Sequence, residues 1–552
     1  MTPPPPTVLT RSVRYHEDAG RLLEQLAGRG LIATTADTGE PRPLDTVLLE
    51  SVDIATKVSR TTIAVLEASA RLTCQGREVT AEALPQASAD GAAALERLRT
   101  ALAEYVTADA DQTLTLAFPA APGDVEERDR LKSVSTIEPL RALASTEVDH
   151  PHLPLEAGVF AFDYLATFED LPEVAMGANT CPDYLFYDAR IILVIDHPTR
   201  SATLVGASVD AADLADRIDA LAAAADAFAA GDAAATQSPV PRGAADDVAR
   251  PVLHAVPTQS DADYAAVVES MKESIAAGDV YQVVPARGFT LPCPDALAAY
   301  HALRQSNPSP YMFYVGAPDF ELLGASPESA LLHSARTGQV AIRPIAGTRP
   351  RGLTLDGAVD HERDTRLELE LRTDAKEVAE HVMLVDLARN DVARVSVPGT
   401  RRVEDLLRVD RYSRVMHLVS EVSGQLAPDL DALDAFRASM TMGTLTGAPK
   451  LRAAELIRDA EGVRRGSYGG SVGYFRGDGE LDTCIVIRSA FVRGGTALVQ
   501  AGAGVVADSV PAAEAAETVH KASAVLAAVA AAQGAELVID SGDNAAQPEG
   551  RR

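Results

Sequence analysis

The stretch DAKEVAEHVMLVDLARNDVARV, residues 374–395, repeats apolar residues at helical spacing and predicts one long helix. Two of its glutamates, Glu377 and Glu380, are three residues apart and therefore share one face of that helix. A second pair with the same spacing, Glu514 and Glu517, lies near the end of the chain. Like charges this close repel each other, so the arrangement is favourable only beside a positive partner. The pairs indicate either a site for a hard cation or two acidic faces in solvent.

The composition of the chain restricts the classes of function. With 552 residues, 47% of them apolar, the chain is long enough for roughly two to four folded domains. The net charge of −29 and the pI of about 4.8 argue against binding to nucleic acid or to anionic membranes. A small anionic substrate is not excluded, because a metal ion and a few arginines can reverse the field inside one pocket.

Cysteine usage and the N-terminus predict the compartment. The four cysteines, Cys74, Cys181, Cys293 and Cys484, form no close pair of the kind that binds zinc or cycles between redox states. The first residues lack the basic and apolar regions of a signal peptide, and no apolar run reaches membrane-spanning length. We expect a reduced, cytoplasmic protein.

Changes in composition along the chain divide it into four parts. Residues 13–224 mix strand-like runs with Ala-rich helices and predict an N-terminal region. Residues 225–257, rich in Ala, Asp, Gly and Pro, predict a linker, although their first part could prolong a helix. Residues 258–535 are denser in glycine-bearing motifs and predict a second folded region. Residues 540–552 are polar and without periodicity, so we expect a disordered tail.

Three glycine-rich stretches lie between the two glutamate pairs, at 443–450, 466–470 and 501–504. Glycine lets the backbone approach a ligand closely and point N–H groups at a carboxylate, although each stretch alone could be an ordinary turn. The run TGAPK lacks the spacing of a phosphate-binding P-loop, which excludes a nucleotide site there.

Several long motifs occur in one order along the chain: PIAGTRPR at 344–351, EHVMLVDLARND at 380–391, YSRVMH at 412–417, GAPK at 447–450 and DTCIVIR at 482–488. This set resembles the chorismate-utilising enzymes, and within them it is similar to the large subunits of anthranilate synthases. The resemblance covers the second half almost continuously and reaches the first half through LLES at 48–51 and CPD at 181–183.

The resemblance implies an α+β fold with large antiparallel β-sheets packed face to face and helices outside. Periodicity alone does not predict that architecture. The resemblance also implies a lyase reaction: ammonia attacks C2 of chorismate, the C4 hydroxyl leaves, and pyruvate is eliminated as the ring becomes aromatic. We expect residues 258–535 to bind chorismate and residues 13–224 to be regulatory.

The resemblance assigns roles to individual residues. It implies Mg²⁺ held by Glu380 and Glu517, with Glu377 and Glu514 orienting waters or the closer ligands. It implies contacts to substrate by a second group, whose members are Tyr468, Arg488, Gly502, Gly504, Ala346 and Gly347. Glu328 matches the acid that protonates the departing hydroxyl, which requires a raised pKa. The remaining catalytic candidates are His417, Gln282, Thr348 and Lys521.

Two positions distinguish the reactions within the family. By the resemblance, Gln282 occupies the place where the water-adding relatives, the isochorismate and salicylate synthases, look to carry a lysine base. Ala346 occupies the place of the lysine that attacks the ring in aminodeoxychorismate synthases, and alanine cannot attack. Both residues favour anthranilate as the product. Aminodeoxychorismate, isochorismate or salicylate synthesis, or a non-catalytic subunit that senses tryptophan, remain the alternatives.

None of the four cysteines lies in a sequence that resembles the nucleophile of a glutamine amidotransferase, so we expect ammonia from a separate subunit. The resemblance implies a heterotetramer of two large and two small subunits. It also implies feedback inhibition by tryptophan bound between two segments, one at 48–51 and one at 307–313. The candidate residues of that site are Leu49, Glu50, Ser51, Asn307, Pro310, Tyr311, Met312, Phe313 and Cys484.

Overall fold

A computed structural model describes residues 5–35, 41–52, 59–122, 125–235, 250–354, 358–412 and 415–542. The helices are α1 (Ala19–Gly28), α2 (Ser88–Ala101), α3 (Glu127–Leu131), α4 (Glu138–Ala144), α5 (Ala211–Ala235), α6 (Asp261–Ala276), α7 (Ala296–Ser306), α8 (His361–Thr373), α9 (Ala375–Val395), α10 (Ala432–Ser439), α11 (Lys450–Glu461) and α12 (Pro511–Ala532). Short 3₁₀ turns occur at Pro85–Ala87, Ala103–Tyr105, Phe162–Thr167 and Gly443–Leu445.

The strands of the first half are β1 (Thr7–Val13), β2 (Thr46–Val52), β3 (Ser59–Gln75), β4 (Glu78–Ala83), β5 (Val106–Ala110), β6 (Thr113–Ala117), β7 (Leu155–Phe160), β8 (Tyr184–Asp196) and β9 (Ser201–Ser208). Those of the second half are β10 (Val252–Pro257), β11 (Gln282–Val283), β12 (Ala286–Pro292), β13 (Tyr311–Gly316), β14 (Glu321–Ser326), β15 (Ser329–Ser334), β16 (Gln339–Ile342), β17 (Ile345–Pro350), β18 (Arg402–Arg411), β19 (Val415–Gln425), β20 (Gly447–Ala448), β21 (Ser471–Arg476), β22 (Leu481–Ile485), β23 (Ser489–Arg493), β24 (Thr496–Gly502) and β25 (Glu536–Ile539).

The helix predicted from residues 374–395 is confirmed as α9. It begins where the side chain of Asp374 accepts hydrogen bonds from the backbone N–H groups of Lys376 and Glu377. The helix that carries the second glutamate pair is α12, and Pro511 occupies its first turn, where a missing N–H costs nothing.

Two large sheets form the body of the molecule. The first has the order β1-β9-β8-β3-β2-β13-β14-β23-β24-β12-β10-β25, and its ladders are antiparallel except between β10 and β25. The second has the order β5-β6-β4-β3-β8-β7-β21-β22-β15-β16-β19, with β17 and β18 also paired to β19, and all its ladders are antiparallel.

The strands β3 and β8 belong to both sheets. The first part of β3 pairs with β2 and its last part pairs with β4, while β8 follows β3 along its whole length. Register shifts between Val65 and Ala70 bend the pair where it passes from one sheet to the other. The two sheets are therefore joined at this corner by continuous chain.

Three apolar cores separate the layers. One lies between the two sheets and is built mostly from strand residues, among them Val65, Phe313, Leu322 and Val472. The others lie on the outer faces, under helices that include α5, α7 and α12 on the first sheet and α2, α9 and α10 on the second. This arrangement confirms the α+β fold with facing antiparallel sheets and outer helices.

The structure differs from the predicted boundaries of the linker, 225–257. Helix α5 continues to Ala235, and β10 begins at Val252 and pairs with β12 and β25. Most of the predicted tail, from residue 543 onward, lies outside the described residues, as do residues 236–249. Within the described ranges, no helix is long and apolar enough to cross a membrane.

Candidate active site

A cavity of about 770 Å³ opens beside α9 and α12. All of the catalytic, substrate and metal candidates predicted from the sequence line it: Glu328, His417, Gln282, Thr348, Lys521, Tyr468, Arg488, Gly502, Gly504, Ala346, Gly347, Glu380, Glu517, Glu377 and Glu514. The fold therefore gathers residues that are spread over more than 200 positions of sequence into one site.

Two breaks in the sheets place the side chains of Glu328 and Arg488 in the cavity. The strands β14 and β15 are separated only by Pro327 and Glu328, and β22 and β23 only by residues 486–488. Because β14 pairs with β23 and β15 with β22, the two breaks lie side by side. Arg488 has φ of +50°, a left-handed conformation that costs a non-glycine residue free energy and that is typical of functional positions.

Backbone hydrogen bonds lock the two breaks together. The N–H of Ile485 donates to the carbonyl of Glu328 over 3.0 Å, and the N–H of Ala325 donates to the carbonyl of Arg488 over 3.1 Å. The first bond joins the Glu328 break to β22, and the second joins the Arg488 break to β14. The backbone that carries the two functional side chains is thus held by the sheet itself.

Glu328 is buried and has an altered acidity. Its side chain is 6% exposed, and burial raises its pKa to about 8, although the nearby Thr444 hydroxyl and the N–H of Ile345 lower it in part. Burial favours the neutral form of a carboxyl group because the anion loses its hydration. Glu328 therefore keeps its proton at neutral pH and can act as a general acid.

The two glutamate pairs approach each other from different helices. Burial raises the pKa of Glu380, and the charges of Glu377 and Glu517 raise it further. On α12, burial and the neighbouring Glu517 raise the pKa of Glu514. The side chain of Glu517 is 45% exposed, and although partial desolvation opposes the change, the charge of Lys521 lowers its pKa below the usual range. The four carboxylates form one crowded anionic wall.

The donor set on this wall fits a hard divalent cation. The wall offers only carboxylate oxygens, and Glu377 is in part neutralised because Arg349 donates from Nη1 to its Oε1 over 2.7 Å. No three His, Cys, Asp or Glu side chains of the described chain are grouped closely enough to form a complete ligand set. Mg²⁺ commonly binds through one or two carboxylates and takes its other ligands from water and substrate oxygens.

Lys521 connects the acidic wall to the opposite side of the cavity. Its Nζ donates to Glu517 Oε1 over 2.8 Å and to the carbonyl of Gly502 over 2.9 Å. The Nη1 of Arg488 donates to the carbonyl of Lys521 over 2.7 Å. These bonds orient both cations in the cavity.

Arg488 and Tyr468 form the side of the site that can bind an anion. Burial lowers the pKa of Arg488, which still stays charged at physiological pH, and burial raises the pKa of Tyr468 to about 12, so its hydroxyl stays protonated. A Cβ on Gly502 would lie 2.6 Å from the carbonyl oxygen of Pro285 and 3.3 Å from the Tyr468 hydroxyl. Only glycine fits there, which leaves the backbone beside Tyr468 accessible to a carboxylate.

Gln282 contacts the acidic wall directly. Its Nε2 donates to Glu380 Oε1 over 3.0 Å, and its Oε1 is buried with no hydrogen-bond partner among the described residues. A Cβ on Gly504 would lie 2.6 Å from that Nε2, so glycine is required for Gln282 to reach Glu380. A buried acceptor without a partner is rare in proteins and marks a place for a donor from outside the chain.

His417 is neutral in this site. Burial and the charge of Arg488 lower its pKa to about 4. Its Nδ1 lies 2.9 Å from Thr348 Oγ1, and Tyr412 packs edge-on against the ring at 5.0 Å. Gly347, beside Thr348, has φ of +83°, and a Cβ there would lie 3.2 Å from Glu377 Oε2. The ring is therefore held in one orientation as an unprotonated imidazole.

The sequence motifs did not single out several residues that line the cavity. Lys376 carries a charge that lowers the pKa of Glu514 and Glu517, and it is adjacent in sequence to Glu377. Thr444 lies in the glycine-rich stretch 443–450, beside Glu328. Gln500 and His520 also line the cavity. In the sequence, these residues are distinguished only by lying near the motifs that resemble the family.

The two predicted tryptophan-site segments are neighbouring strands. Ser51 on β2 is registered opposite Tyr311 on β13, and Leu49 opposite Phe313. The N–H of Val52 donates to the carbonyl of Pro310 over 3.1 Å. The pairing brings the two segments together at one place in the first sheet.

The predicted set is divided between the two faces of that sheet. Phe313 and Cys484 are buried in the core between the sheets, and Leu49 and Tyr311 pack against it. Met312 faces the core under α7. Glu50 is bonded to Arg304 of α7 over 2.9 Å, and Asn307 follows the last turn of that helix.

Comparison with known proteins gives close relatives. A family model for chorismate binding enzymes matches residues 91–527. The chain is 47% identical over 533 residues to anthranilate synthase component 1 of Vibrio parahaemolyticus serotype O3:K6, with 95% of this chain and 93% of that protein covered. It is 47% identical over 534 residues to anthranilate synthase component 1 of Escherichia coli (strain K12), covering 96% and 98%.

Solved structures agree with the fold. Anthranilate synthase component I from Streptococcus pneumoniae TIGR4 superposes with a TM-score of 0.61 and 27% identity, over 84% of this chain and 92% of that one. The menaquinone-specific isochorismate synthase from Escherichia coli gives 0.58 at 19% identity, covering 96% of both chains, and supports the fold alone. Because the family match takes in every residue of the cavity, the chain belongs to the chorismate-binding enzyme family.

Proposed function

We propose that this chain is the chorismate-converting subunit of an anthranilate synthase, a lyase that joins ammonia to chorismate and releases anthranilate, pyruvate and water. The observation that carries the proposal is the buried Glu328, whose pKa of about 8 keeps it protonated in the same cavity as Arg488 and the two glutamate pairs. The relatives at 47% identity are all anthranilate synthase components, which supports the same reaction here.

Glu328 would supply the proton for the first step. Ammonia forms a bond to C2 of the ring, both ring double bonds shift towards C4, and the C4 hydroxyl leaves as water after accepting that proton. A hydroxide ion is a poor leaving group, so a neutral carboxylic acid in hydrogen-bond reach lowers the barrier. The burial that raises the pKa of Glu328 keeps the acid in its protonated form until that step.

The substrate is a dianion, and the cavity has two places for carboxylates. Arg488 and Tyr468 would bind the enolpyruvyl carboxylate by charge-assisted hydrogen bonds, together with backbone N–H groups near Gly502 and Gly504. The ring carboxylate would face Glu380 and Glu517. These two glutamates would hold Mg²⁺, whose positive charge would offset the repulsion between the anions.

Elimination of pyruvate requires a proton to leave C2 of the ring. His417 is a neutral imidazole and is therefore in the form that accepts a proton. Its contact with Thr348 Oγ1 fixes the ring, so that Nε2 is the nitrogen available to the substrate. These features support a role for His417 in the second step.

Two residues favour ammonia as the nucleophile. Ammonia needs no base to become nucleophilic, whereas water does, and Gln282 cannot act as a base. The unpaired Oε1 of Gln282 would accept a hydrogen bond from ammonia instead. Ala346 offers no amine that could attack the ring.

Ammonia would come from a separate glutamine amidotransferase subunit. All four cysteines are buried, and burial raises the pKa of each thiol, that of Cys293 to about 12. Such thiols do not form the thiolate that attacks glutamine. The naming of the relatives as component 1 agrees with a partner chain, and a heterotetramer remains a prediction.

Tryptophan would inhibit by binding where β2 meets β13. Glu50 is 2% exposed, and its Oε1 has no partner in the described part of the chain. A ligand ammonium group would satisfy this oxygen, which is costly to leave unpaired. The site would be distinct from the cavity that holds the glutamate pairs.

Product identification tests the proposal. The purified chain, chorismate, Mg²⁺ and an ammonium salt should give anthranilate and pyruvate in equal amounts, while glutamine alone should give almost none. Isochorismate, salicylate or an aminodeoxychorismate as the main product would contradict the proposal, as would glutamine-dependent turnover by the chain without a partner.

A further inference from the structure

The buried side chain of Asn179 can be assigned one orientation. Its Oδ1 accepts hydrogen bonds from the backbone N–H groups of Cys181 over 3.3 Å and Ser467 over 3.2 Å. Only the amide oxygen can accept from an N–H, so the two ends of the amide cannot be exchanged. The Nδ2 of Asn179 therefore points the other way, where it donates to Ser467 Oγ and to Gln500 Oε1, each over 2.9 Å.

The orientation of Asn179 determines that of Gln500. Because Gln500 Oε1 accepts from Asn179, its Nε2 is the free end of the amide. Gln500 lines the active-site cavity, and its Nε2 donates to no acceptor in the described part of the protein. Gln500 lies two residues before Gly502 on β24, so both residues belong to the same face of that strand.

We propose that Gln500 is a substrate-binding residue that donates a hydrogen bond from Nε2 to the carboxylate held by Arg488 and Tyr468. Asn179 is the positioning residue that keeps this Nε2 directed into the cavity. The inference rests on the proposed function, since it takes the enolpyruvyl carboxylate of chorismate as the ligand. The reversed amide would present an oxygen to the carboxylate and repel it.

The proposal gives the N-terminal half of the chain an indirect part in substrate binding, through the orientation of Gln500. Asn179 is 2% exposed and belongs to the region 13–224, whose other described residues contribute no side chain to this bond network. Its amide nitrogen contacts Gln500, which lines the cavity, and Ser467, which precedes the cavity residue Tyr468. A hydrogen bond to a charged acceptor contributes about 1.5–3 kcal/mol, which corresponds to roughly a tenfold to hundredfold change in affinity.

The first experiment removes the donor. Gln500→Met keeps the length of the side chain, and we expect the KM for chorismate to rise about 10- to 100-fold, with kcat changed by less than about threefold. Calorimetric titration of chorismate, without ammonium so that no turnover occurs, should show the same loss of affinity. The matched control is Gln112→Met, at an exposed position remote from the cavity, which should leave both values unchanged.

The second experiment reverses the amide. In Asn179→Asp the carboxylate can only accept, and the two backbone N–H groups with the Ser467 hydroxyl favour its ionised form. Gln500 should then turn its Nε2 towards it, and the KM should rise as in Gln500→Met. The double variant Asn179→Asp/Gln500→Met should be no worse than either single variant, since both remove one and the same bond.

A rescue variant separates positioning from a general structural role. Asn179→Asp/Gln500→Lys restores a donor between the new carboxylate and the substrate, so its KM should fall back towards the wild-type value. Additive losses in the double variant, failure of the rescue, or an unchanged KM in Gln500→Met would overturn the inference while leaving the proposed function intact. Failure of the wild-type chain to bind chorismate in the same titration would overturn both.

Discussion

Gln282 Nε2 donates a hydrogen bond of 3.0 Å to Glu380 Oε1, which joins the residue that distinguishes nucleophiles to a predicted metal ligand. This bond lowers the pKa of Glu380 against the larger opposing effect of burial. In the sequence, the residue that distinguishes the nucleophile and the predicted metal ligand are separate features. In the structure, this one hydrogen bond connects them.

Gln282→Leu should lower the apparent affinity of the protein for Mg²⁺. Without the amide donor the pKa of Glu380 rises further, so a proton competes better with the cation at neutral pH. A lost hydrogen bond to a charged group is worth about 1.5–3 kcal/mol, and we expect roughly tenfold weaker apparent Mg²⁺ affinity, recovered in part at higher pH. Mg²⁺ titrations of activity at several pH values provide the measurement, and identical curves for variant and wild type would contradict the prediction.

Glu380→Gln and Glu517→Gln should nearly abolish turnover at limiting Mg²⁺. Each removes one of the two carboxylates predicted to contact the cation, and we expect a loss of more than about 100-fold. Glu377→Gln is the matched comparison, because Arg349 already occupies one oxygen of Glu377, and its loss should be about tenfold. A larger loss in Glu377→Gln than in the other two variants would reverse the assignment.

The activity should fall as the pH rises through about 8, the pKa of Glu328. The sign follows from the raised pKa: the acid is protonated and active below that value and is lost above it. The rate must be measured at a constant concentration of free ammonia, since that concentration also changes with pH. Glu328→Gln should lower kcat by about 10²- to 10⁴-fold and remove this limb of the profile. A limb that persists in the variant would show that another group titrates.

Ser51→Phe should weaken inhibition by tryptophan without a large effect on catalysis. Ser51 is registered opposite Tyr311, so a phenyl ring there would fill the space at the junction of β2 and β13. The stabilising effect of tryptophan on thermal unfolding should weaken in parallel, because both effects report binding to one state. Unchanged inhibition would remove the predicted regulatory site from this junction.

Glu156 and Asp188 should make the protein less stable at high pH. They are direct partners in the ladder between β7 and β8, and burial, followed by the neighbouring carboxylate, raises the pKa of Glu156. Burial also raises the pKa of Asp188, although the Ser69 hydroxyl and the charge of Arg97 oppose the increase. The folded chain therefore retains a proton that the unfolded chain releases above the ordinary carboxyl range.

The free energy of unfolding should consequently fall by up to about 1.4 kcal/mol per pH unit for each retained proton. Glu156→Gln should flatten this slope above the ordinary carboxyl range in urea denaturation, whereas Glu78→Gln, at an exposed position, should not. Equal slopes in wild type and Glu156→Gln would mean that the pair is ionised in the folded state.

The sequence predicts the parts of the site that depend on spacing. The helical pairs and the glycine stretches are local patterns, and the order of the motifs supports the family resemblance and hence the fold class. The catalytic identity of Glu328 could be inferred only from that resemblance, because its acidity depends on burial at a break between two sheets. Lys376 gave no signal beyond its position next to Glu377 in the sequence.

The long-range connections could not be predicted from local patterns. The sharing of β3 and β8 by both sheets requires pairing between residues more than 100 positions apart. For the same reason the contact of Asn179 with Gln500 is invisible in the sequence, where 321 positions separate them. The boundaries at 224 and 258 mark a change in composition, and that change does not coincide with a division of the sheets.

The two strands shared between the sheets also bear on how the chain could be divided. A cut within residues 236–249 would separate β2, β7 and β8 from the later strands, and each fragment would expose long rows of unpaired N–H and carbonyl groups where β13 and β21 now lie. Neither piece would be a self-sufficient folding unit. Mixed together, the fragments would have matching open edges, so this position suits a split reporter whose signal depends on reassembly.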